Sequence, residues 1–179
     1  MFPYQVARAV RGLCVVLFAS LSGVGGALAE LPAAPAGEVI LFVDGAIANT
    51  NVGKEAQFDI DTLSQMPVVT FTTSTTWTEG TPTFTGVPLK ALLEAVGATG
   101  PNVSAIALNN YAIDIPLDSL TDEALIVAYQ IDGKPFSRRD KGPLWIVYPY
   151  DSSADYRNEL VYSRSIWQLQ QIGRASCRE

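Results

Sequence analysis

Short runs of β-branched and aromatic residues, each bounded by turn residues, constrain the fold of this chain more than any other feature. These runs predict strands at residues 39–43, 68–73, 103–108, 111–115, 125–131, 144–148 and 162–169. Helical patterns are brief and occur at residues 59–65, 88–96 and 118–123. Because strands predominate and do not alternate with helices, the sequence predicts a single α+β domain, mainly β, with a mixed sheet and few short helices.

The N-terminal segment has the composition of an export signal. Arg8 and Arg11 precede an apolar run at residues 13–21, and an Ala-Leu-Ala cleavage pattern occupies residues 27–29. The apolar run is shorter than the roughly 20 residues that cross a bilayer as a helix. We therefore expect residues 1–29 to be a signal peptide, and the mature protein to be periplasmic or secreted with no membrane anchor.

The predicted folded domain covers residues 38–171. Residues 30–37 are rich in Pro and Ala and have little to bury, which is typical of a linker. Residues 172–179, with the sequence IGRASCRE, interrupt the preceding alternation and resemble a translated sequencing adapter. They are predicted to be a non-native tail.

The residue types that are missing exclude several classes of chemistry. The chain contains no His, and its two Cys, Cys14 and Cys177, lie outside the predicted domain. Ser-His-Asp and Cys-His catalysis, ordinary zinc sites and haem ligation by His are therefore excluded within the domain. Asp59 and Asp61 do not belong to a calcium-loop pattern, and Asp59 is better explained as a helix cap. We expect a disulfide-free monomer with no zinc, haem or calcium and no catalytic or metal-ligating residue.

Positive charge is concentrated late in the sequence. Residues 30–171 contain 8 Lys and Arg against 17 Asp and Glu, a net charge of −9, whereas residues 134–171 alone carry +2. A chain this acidic is not expected to bind nucleic acid or an anionic membrane. The cations of the later segment are therefore candidates for one anionic ligand, one acidic partner, or the chain's own carboxylates.

A cationic segment lies between the turn dipeptides at residues 132–133 and 142–143. Its four cations are Lys134, Arg138, Arg139 and Lys141. The segment is interpreted either as an anion cradle, because Arg grips oxyanions bidentately, or as a solvated turn. Neighbouring Arg side chains on an extended chain point to opposite faces, so only one of Arg138 and Arg139 is expected to face a ligand. The other is expected to pair with Asp140, Asp151 or Asp155.

Four segments, taken in order, carry a resemblance to a known family: residues 72–98, 108–116, 132–151 and 165–172. Together they resemble the small exported proteins of the sulfite-oxidase-type molybdopterin-binding domain family. The resemblance covers nearly all of residues 38–171, and it implies that family's fold and molybdopterin as the cofactor of its catalytic members. It implies a cofactor-binding site with eight candidate residues: Ser74, Trp77, Asn110, Tyr111, Arg138, Arg139, Lys141 and Gly142.

One departure from the family concerns the metal. The catalytic members bind molybdenum through a cysteine thiolate in the loop after the strand that matches residues 68–73. Here that loop, residues 73–77, reads TSTTW and contains no sulfur. A hydroxyl, with its far higher pKa, is not an equivalent of the soft thiolate ligand. Trp145 also stands where the enzymes often carry Arg.

Three functions are consistent with these residues. We favour an exported binding module that holds a small anionic ligand or a partner protein without redox catalysis. The second is a molybdopterin-dependent oxidoreductase with an unusual metal shell, in which Arg138, Arg139 and Lys141 hold the cofactor phosphate. The third is a structural domain without a ligand.

The three tryptophans receive different interpretations. Trp145 and Trp167 each lie inside a predicted strand and are expected in the core. Trp77 lies in a polar loop, where no periodic pattern calls for a large apolar side chain. It is expected either to line a cleft or to pack beneath its loop.

Overall fold

The computed structural model describes residues 31–120 and 125–173. The predicted signal peptide, part of the predicted helix at 118–123 and residues 174–179 of the predicted tail lie outside these residues. Ten strands are present in the described part: β1 Leu41–Val43, β2 Ala56–Phe58, β3 Val69–Thr72, β4 Thr83–Pro88, β5 Asn102–Ala107, β6 Ala112–Pro116, β7 Ile126–Ile131, β8 Lys134–Pro135, β9 Trp145–Val147 and β10 Leu169–Gly173. Three α-helices accompany them: α1 Ile60–Ser64, α2 Leu89–Ala95 and α3 Glu159–Arg164.

The strands form two sheets. The first has the order β2-β1-β10-β5-β6, in which β1 and β10 are parallel and the other pairs are antiparallel. The second is antiparallel with the order β3-β4-β7-β8, and β9 also pairs with β7. The prediction of a mainly-β domain with a mixed sheet and few short helices is confirmed.

Side chains from both sheets meet in one hydrophobic core. Leu41 and Val43 of the first sheet belong to the same buried cluster as Phe84 and Val127 of the second. Phe84 and Trp145 pack edge to face with ring centroids 5.4 Å apart, a geometry that aromatic pairs favour. The prediction that Trp145 lies in the core is confirmed, since only 1% of it is exposed.

Local sequence signals explain the helix starts and the tightest turns. Asp59 caps α1 in a capping box, in which its carboxylate accepts from the Thr62 amide at 2.8 Å and the Thr62 hydroxyl accepts from the Asp59 amide. Asp132 and Gly133 both have positive φ, which the two-residue hairpin between β7 and β8 requires. The predicted cap and the predicted turn are both confirmed.

The C-terminal part of the chain differs from its prediction. A strand was predicted at residues 162–169, but α3 occupies the first three residues of that range and β10 begins only at its last residue. Asn158 starts the helix, because its side-chain oxygen accepts from the Val161 amide at 3.0 Å. β10 also runs two residues beyond the predicted domain boundary at 171, and Ile172 is buried between β1 and β5.

Three strands were missed. β2, β4 and the short β8 lie where no strand was predicted, and the last residue of β4, Pro88, falls within the predicted helix at 88–96. The predicted helix at 118–123 is represented in the described residues by a 3-10 turn at Leu117–Ser119. No helix in the two described ranges is long and apolar enough to cross a membrane.

Candidate functional site

An aromatic cavity of about 320 Å³ lies where the β3–β4 loop, the β5–β6 turn and α3 come together. We call it the aromatic cavity; its lining residues are Trp77, Ala107, Asn109, Tyr111, Tyr162, Ser163, Ser165, Ile166 and Trp167. None of these nine described residues carries a charge. The volume lies at the lower end of the range of about 300–1,000 Å³ for small-molecule sites, so the cavity fits a small organic ligand.

Trp77 is the centre of the aromatic cluster behind the cavity. Its ring lies 5.7 Å from those of Tyr162 and Trp167, at interplanar angles of 90° and 66°. It also contacts the buried rings of Trp145 and Tyr150, at 5.9 and 6.2 Å. Both interpretations of Trp77 therefore hold, since it packs beneath its loop and lines the cavity.

The loop that carries Trp77 is fixed by hydrogen bonds to distant residues. Asp151 accepts from the Ser74 amide at 2.6 Å and from the Ser74 hydroxyl at 2.7 Å. The Asp151 amide donates to the hydroxyl of the buried Thr73 at 3.1 Å. Lys141 donates to the Trp77 carbonyl at 3.3 Å and lies over the Trp145 ring. These bonds hold the Trp77 wall of the cavity in place.

Several hydroxyl protons in the cavity wall are already used inside the protein. Tyr111 donates to the Ser163 carbonyl at 3.4 Å, Ser163 to the Leu160 carbonyl at 2.7 Å, and Ser165 to the Val161 carbonyl at 2.8 Å. Each hydroxyl therefore presents oxygen lone pairs rather than a free proton. Together with the aromatic rings, they make this wall electron-rich.

The cavity is backed by buried tyrosines. The Tyr150 hydroxyl donates to the Ser165 hydroxyl at 2.6 Å, and burial raises the pKa of Tyr150. Burial also raises the pKa of Tyr148 to about 12, although Arg164 beside it acts in the opposite direction. Arg164 Nε is buried without a hydrogen-bond partner among the described residues. Both tyrosines are therefore neutral at physiological pH, and Tyr150 packs against Trp77 in the cavity wall.

The eight residues predicted from the family resemblance do not all line the aromatic cavity. Trp77 and Tyr111 line the cavity, whereas the other six do not. Ser74 is held by Asp151, and Asn110 adopts the left-handed conformation of the β5–β6 turn, with φ of 63°. Gly142 is buried, and a Cβ there would overlap the Phe136 carbonyl, which gives this glycine a packing role.

The cationic segment is a tight turn and not an extended chain. Arg138 and Arg139 belong to a 3-10 turn that Ser137 caps and that ends at Lys141, whose φ is 71°. The expectation of opposite-facing side chains on an extended segment is therefore wrong. The expected ion pair to Asp140, Asp151 or Asp155 is also not formed, because neither guanidinium makes an ion pair with a described residue. Both side chains are exposed.

Sequence reasoning missed most of the cavity. Trp167 was expected in the core, but 38% of it is exposed and it lines the cavity. Tyr162, Ser163 and Ser165 were predicted to lie in a strand. In the structure Tyr162 and Ser163 belong to α3, and Ser165 follows its last residue. The Asn158 cap followed by Glu159 was the available signal for a helix start.

Two packed sheets and the aromatic cavity belong to one mainly-β domain. Residues 43–154 match the family described as the oxidoreductase molybdopterin binding domain, and because this is more than half of the sequence, the chain belongs to that family. The predicted family is confirmed. No curated protein matches the chain in sequence.

Solved structures show the same fold. Among 30 matching chains is the sulfane dehydrogenase SoxCD from Paracoccus pantotrophus, with a TM-score of 0.55 and 18% sequence identity. The match covers 74% of this chain and 37% of that one, so this chain spans only about a third of that relative. At this identity the likeness establishes the fold.

The residues around the cavity do not fit a molybdopterin cofactor. Phosphates are held most strongly by cations, and the nine residues of the described lining include no Lys or Arg. A thiolate for the metal is missing from the loop at residues 73–77, and the Ser74 hydroxyl is bonded to Asp151. Across residues 31–120 and 125–173, no three carboxylate, His or Cys side chains are arranged to hold a metal ion.

Proposed function

We propose that this chain is a non-redox binding member of its family, exported from the cytoplasm, which holds a small organic ligand in the aromatic cavity. The observation that carries the proposal is the cavity itself, which four aromatic side chains line without any charged group. Ligand sites are typically apolar and aromatic with a few polar groups, and this lining has that composition.

The solvent accessibility of the lining supports a ligand rather than a sealed core. Tyr111 is 47% exposed and Trp167 is 38% exposed, so the cavity opens to water. Single exposed apolar residues are common on protein surfaces, but two large exposed aromatic side chains at the same opening are typical of a binding site. A structural domain without a ligand has no use for such an opening.

The test uses the three tryptophans as built-in reporters. In the nitrogen–proton spectrum of the 15N-labelled full chain, each indole N–H gives one signal. Trp145 is the internal reference, because its Nε1 is buried and donates to the Ser165 carbonyl at 3.1 Å. We expect benzamide, 6-hydroxymethylpterin or choline to shift the Trp77 and Trp167 signals more than the Trp145 signal. If none of the three probes shifts them, the chain is a structural domain and the proposal is wrong.

The non-redox part of the proposal has a separate test. Full chain produced in a host that makes molybdenum cofactor is expected to contain far less than one molybdenum per chain by mass spectrometry. One molybdenum per chain would instead support an oxidoreductase with an unusual metal shell.

A second candidate function rests on the cationic turn. Arg138 and Arg139 are exposed and make no ion pair with the residues the structure describes, so both remain available to a small anion. Inorganic phosphate should then bind to the full chain in calorimetry, and Arg138→Ala or Arg139→Ala should weaken it several-fold with an unchanged melting temperature. Equal phosphate binding by both variants and wild type would identify the segment as a solvated turn.

A further inference from the structure

We infer that the ligand of the aromatic cavity is a small quaternary ammonium compound, held by cation–π contacts. This inference rests on the proposed function and specifies its ligand. Aromatic faces attract cations through their quadrupole, and sets of aromatic rings recognise methylated ammonium groups in this way.

The arrangement of the rings is the first argument. Trp77 stands at 90° to Tyr162 and at 66° to Trp167, with both centroids 5.7 Å away, so the three rings form walls in different planes. Tyr111 adds a fourth aromatic residue from the β5–β6 turn. Walls in different planes present aromatic faces to a roughly spherical trimethylammonium group from more than one side.

The hydrogen-bonding state of the lining is the second argument. The hydroxyl protons of Tyr111, Ser163 and Ser165 all go to main-chain carbonyls, so none of these three is free to donate to an anion or a sugar. What these side chains still present is oxygen lone pairs. A trimethylammonium group neither donates nor accepts hydrogen bonds. It therefore leaves no hydrogen bond of its own unmade when it enters such a lining.

Charge is the third argument. None of the described lining residues is cationic, so nothing in the wall repels a positive ligand. Residues 30–171 sum to −9, and a protein surface of that sign raises the local concentration of cations. The same features disfavour an anion in this cavity. They say nothing about an anion at Arg138 and Arg139, which lie outside the cavity lining.

The experiment compares two ligands of the same shape and different charge. Choline and its neutral isostere 3,3-dimethylbutan-1-ol are titrated into the full chain, with the Trp77 and Trp167 indole signals as readout. We expect choline to bind about 10-fold more tightly than the alcohol, within the range that one cation–π contact gives. Equal or tighter binding of the alcohol, or no binding of choline, would overturn the inference.

Matched variants locate the effect. Trp167→Leu keeps apolar bulk but removes one aromatic face, and it should weaken choline about 3- to 30-fold while changing the alcohol less than about twofold. Tyr162→Leu should also weaken choline more than the alcohol. It replaces Trp167→Leu in the test if that variant does not keep the native fold. Leu160→Ala, on the exposed side of α3 and outside the cavity, should bind as wild type does. Equal weakening of both ligands would show an apolar cavity without cation selectivity.

Failure of this inference can be told apart from failure of the proposed function. If benzamide or 6-hydroxymethylpterin shifts the indole signals while choline does not, the cavity is a ligand site for neutral molecules. If no probe shifts them, both proposals fail together.

Discussion

Asp151 holds Ser74 through two hydrogen bonds, although 77 residues separate them in the sequence. The carboxylate accepts from both the amide and the hydroxyl of Ser74, and the Ser74 amide is the largest cause of the lowered pKa of Asp151. The contact joins the β3–β4 loop to the segment after β9. Through it, the position of Trp77 depends on a residue from the other end of the domain.

Asp151→Ala should lower the melting temperature and shift the Trp77 indole signal. The reason is that the Ser74 amide and hydroxyl both lose their acceptor. Because the folded pKa of Asp151 is lowered, its contribution is present above the ordinary carboxyl pKa of about 3.9 and is lost as the pH falls through the folded value. Wild type should therefore lose more stability than Asp151→Ala between pH 5 and the acid limit of about 2.

Asp118→Ala is the control, since that exposed carboxylate makes no described hydrogen bond. A Trp77 signal that moves equally in both variants would contradict the tether.

Ser74→Cys tests whether only a thiolate is missing from a cofactor site. We expect this variant, like wild type and Ser74→Ala, to remain well below one molybdenum per chain in a cofactor-competent host. The added thiol supplies a soft ligand, but the cavity wall still has no cation for the cofactor phosphate. Molybdenum near one per chain in Ser74→Cys alone would mean that the cofactor cleft is intact and our reading of the lining is wrong.

Gly142→Ala should destabilise the domain by about 1–3 kcal/mol, the range for overpacking a filled site. The added methyl group would overlap the Phe136 carbonyl, which is main chain and has little room to move. Chemical denaturation measures the loss. Gly53→Asn is the comparison, because nothing lies near a Cβ at that left-handed position and Asn tolerates the conformation. If Gly142→Ala is as stable as wild type, the packing role is wrong, and a role of Gly142 in ligand binding is favoured instead.

Tyr148 should make the domain sensitive to alkali. Burial raises its folded pKa to about 12, whereas the unfolded side chain ionises near 10. Stability is therefore unaffected below about pH 10 and falls as the pH rises from 10 towards 12, because the unfolded state releases its proton first. Denaturation curves at pH 9 to 11 measure this loss, and Tyr148→Phe should show a shallower fall. Identical slopes for the two proteins would contradict the assignment.

The fold was more predictable than the site. Alternating apolar runs gave most strands to within a few residues, since burial of one face imposes a period of two on the sequence. The Asp59 cap and the Asp132-Gly133 turn were predictable because each depends on a local preference. The segment at 162–169 failed because α3 is only six residues long, too short for its helical period to stand out against an alternating pattern.

The aromatic cavity could not be predicted because it depends on long-range contacts. Trp77, Tyr111 and Trp167 are far apart in the sequence and meet only when three loops converge. The family resemblance pointed to the cationic turn, which is conspicuous in the sequence because four cations stand close together. A neutral lining of Ser, Tyr and Trp leaves no such signal, since the same residues are common in cores and on surfaces.

The central position of β10 has a consequence for how the chain is made. This strand lies between β1 and β5, so the middle of the first sheet is built from the last residues that the structure describes. When residues 31–160 have left the ribosome, strands β1, β2, β5 and β6 have been made. The strand that lies between β1 and β5, β10, has not. The first sheet cannot close before the residues of β10 have been synthesised, and until then the nascent chain is expected to remain open to chaperones.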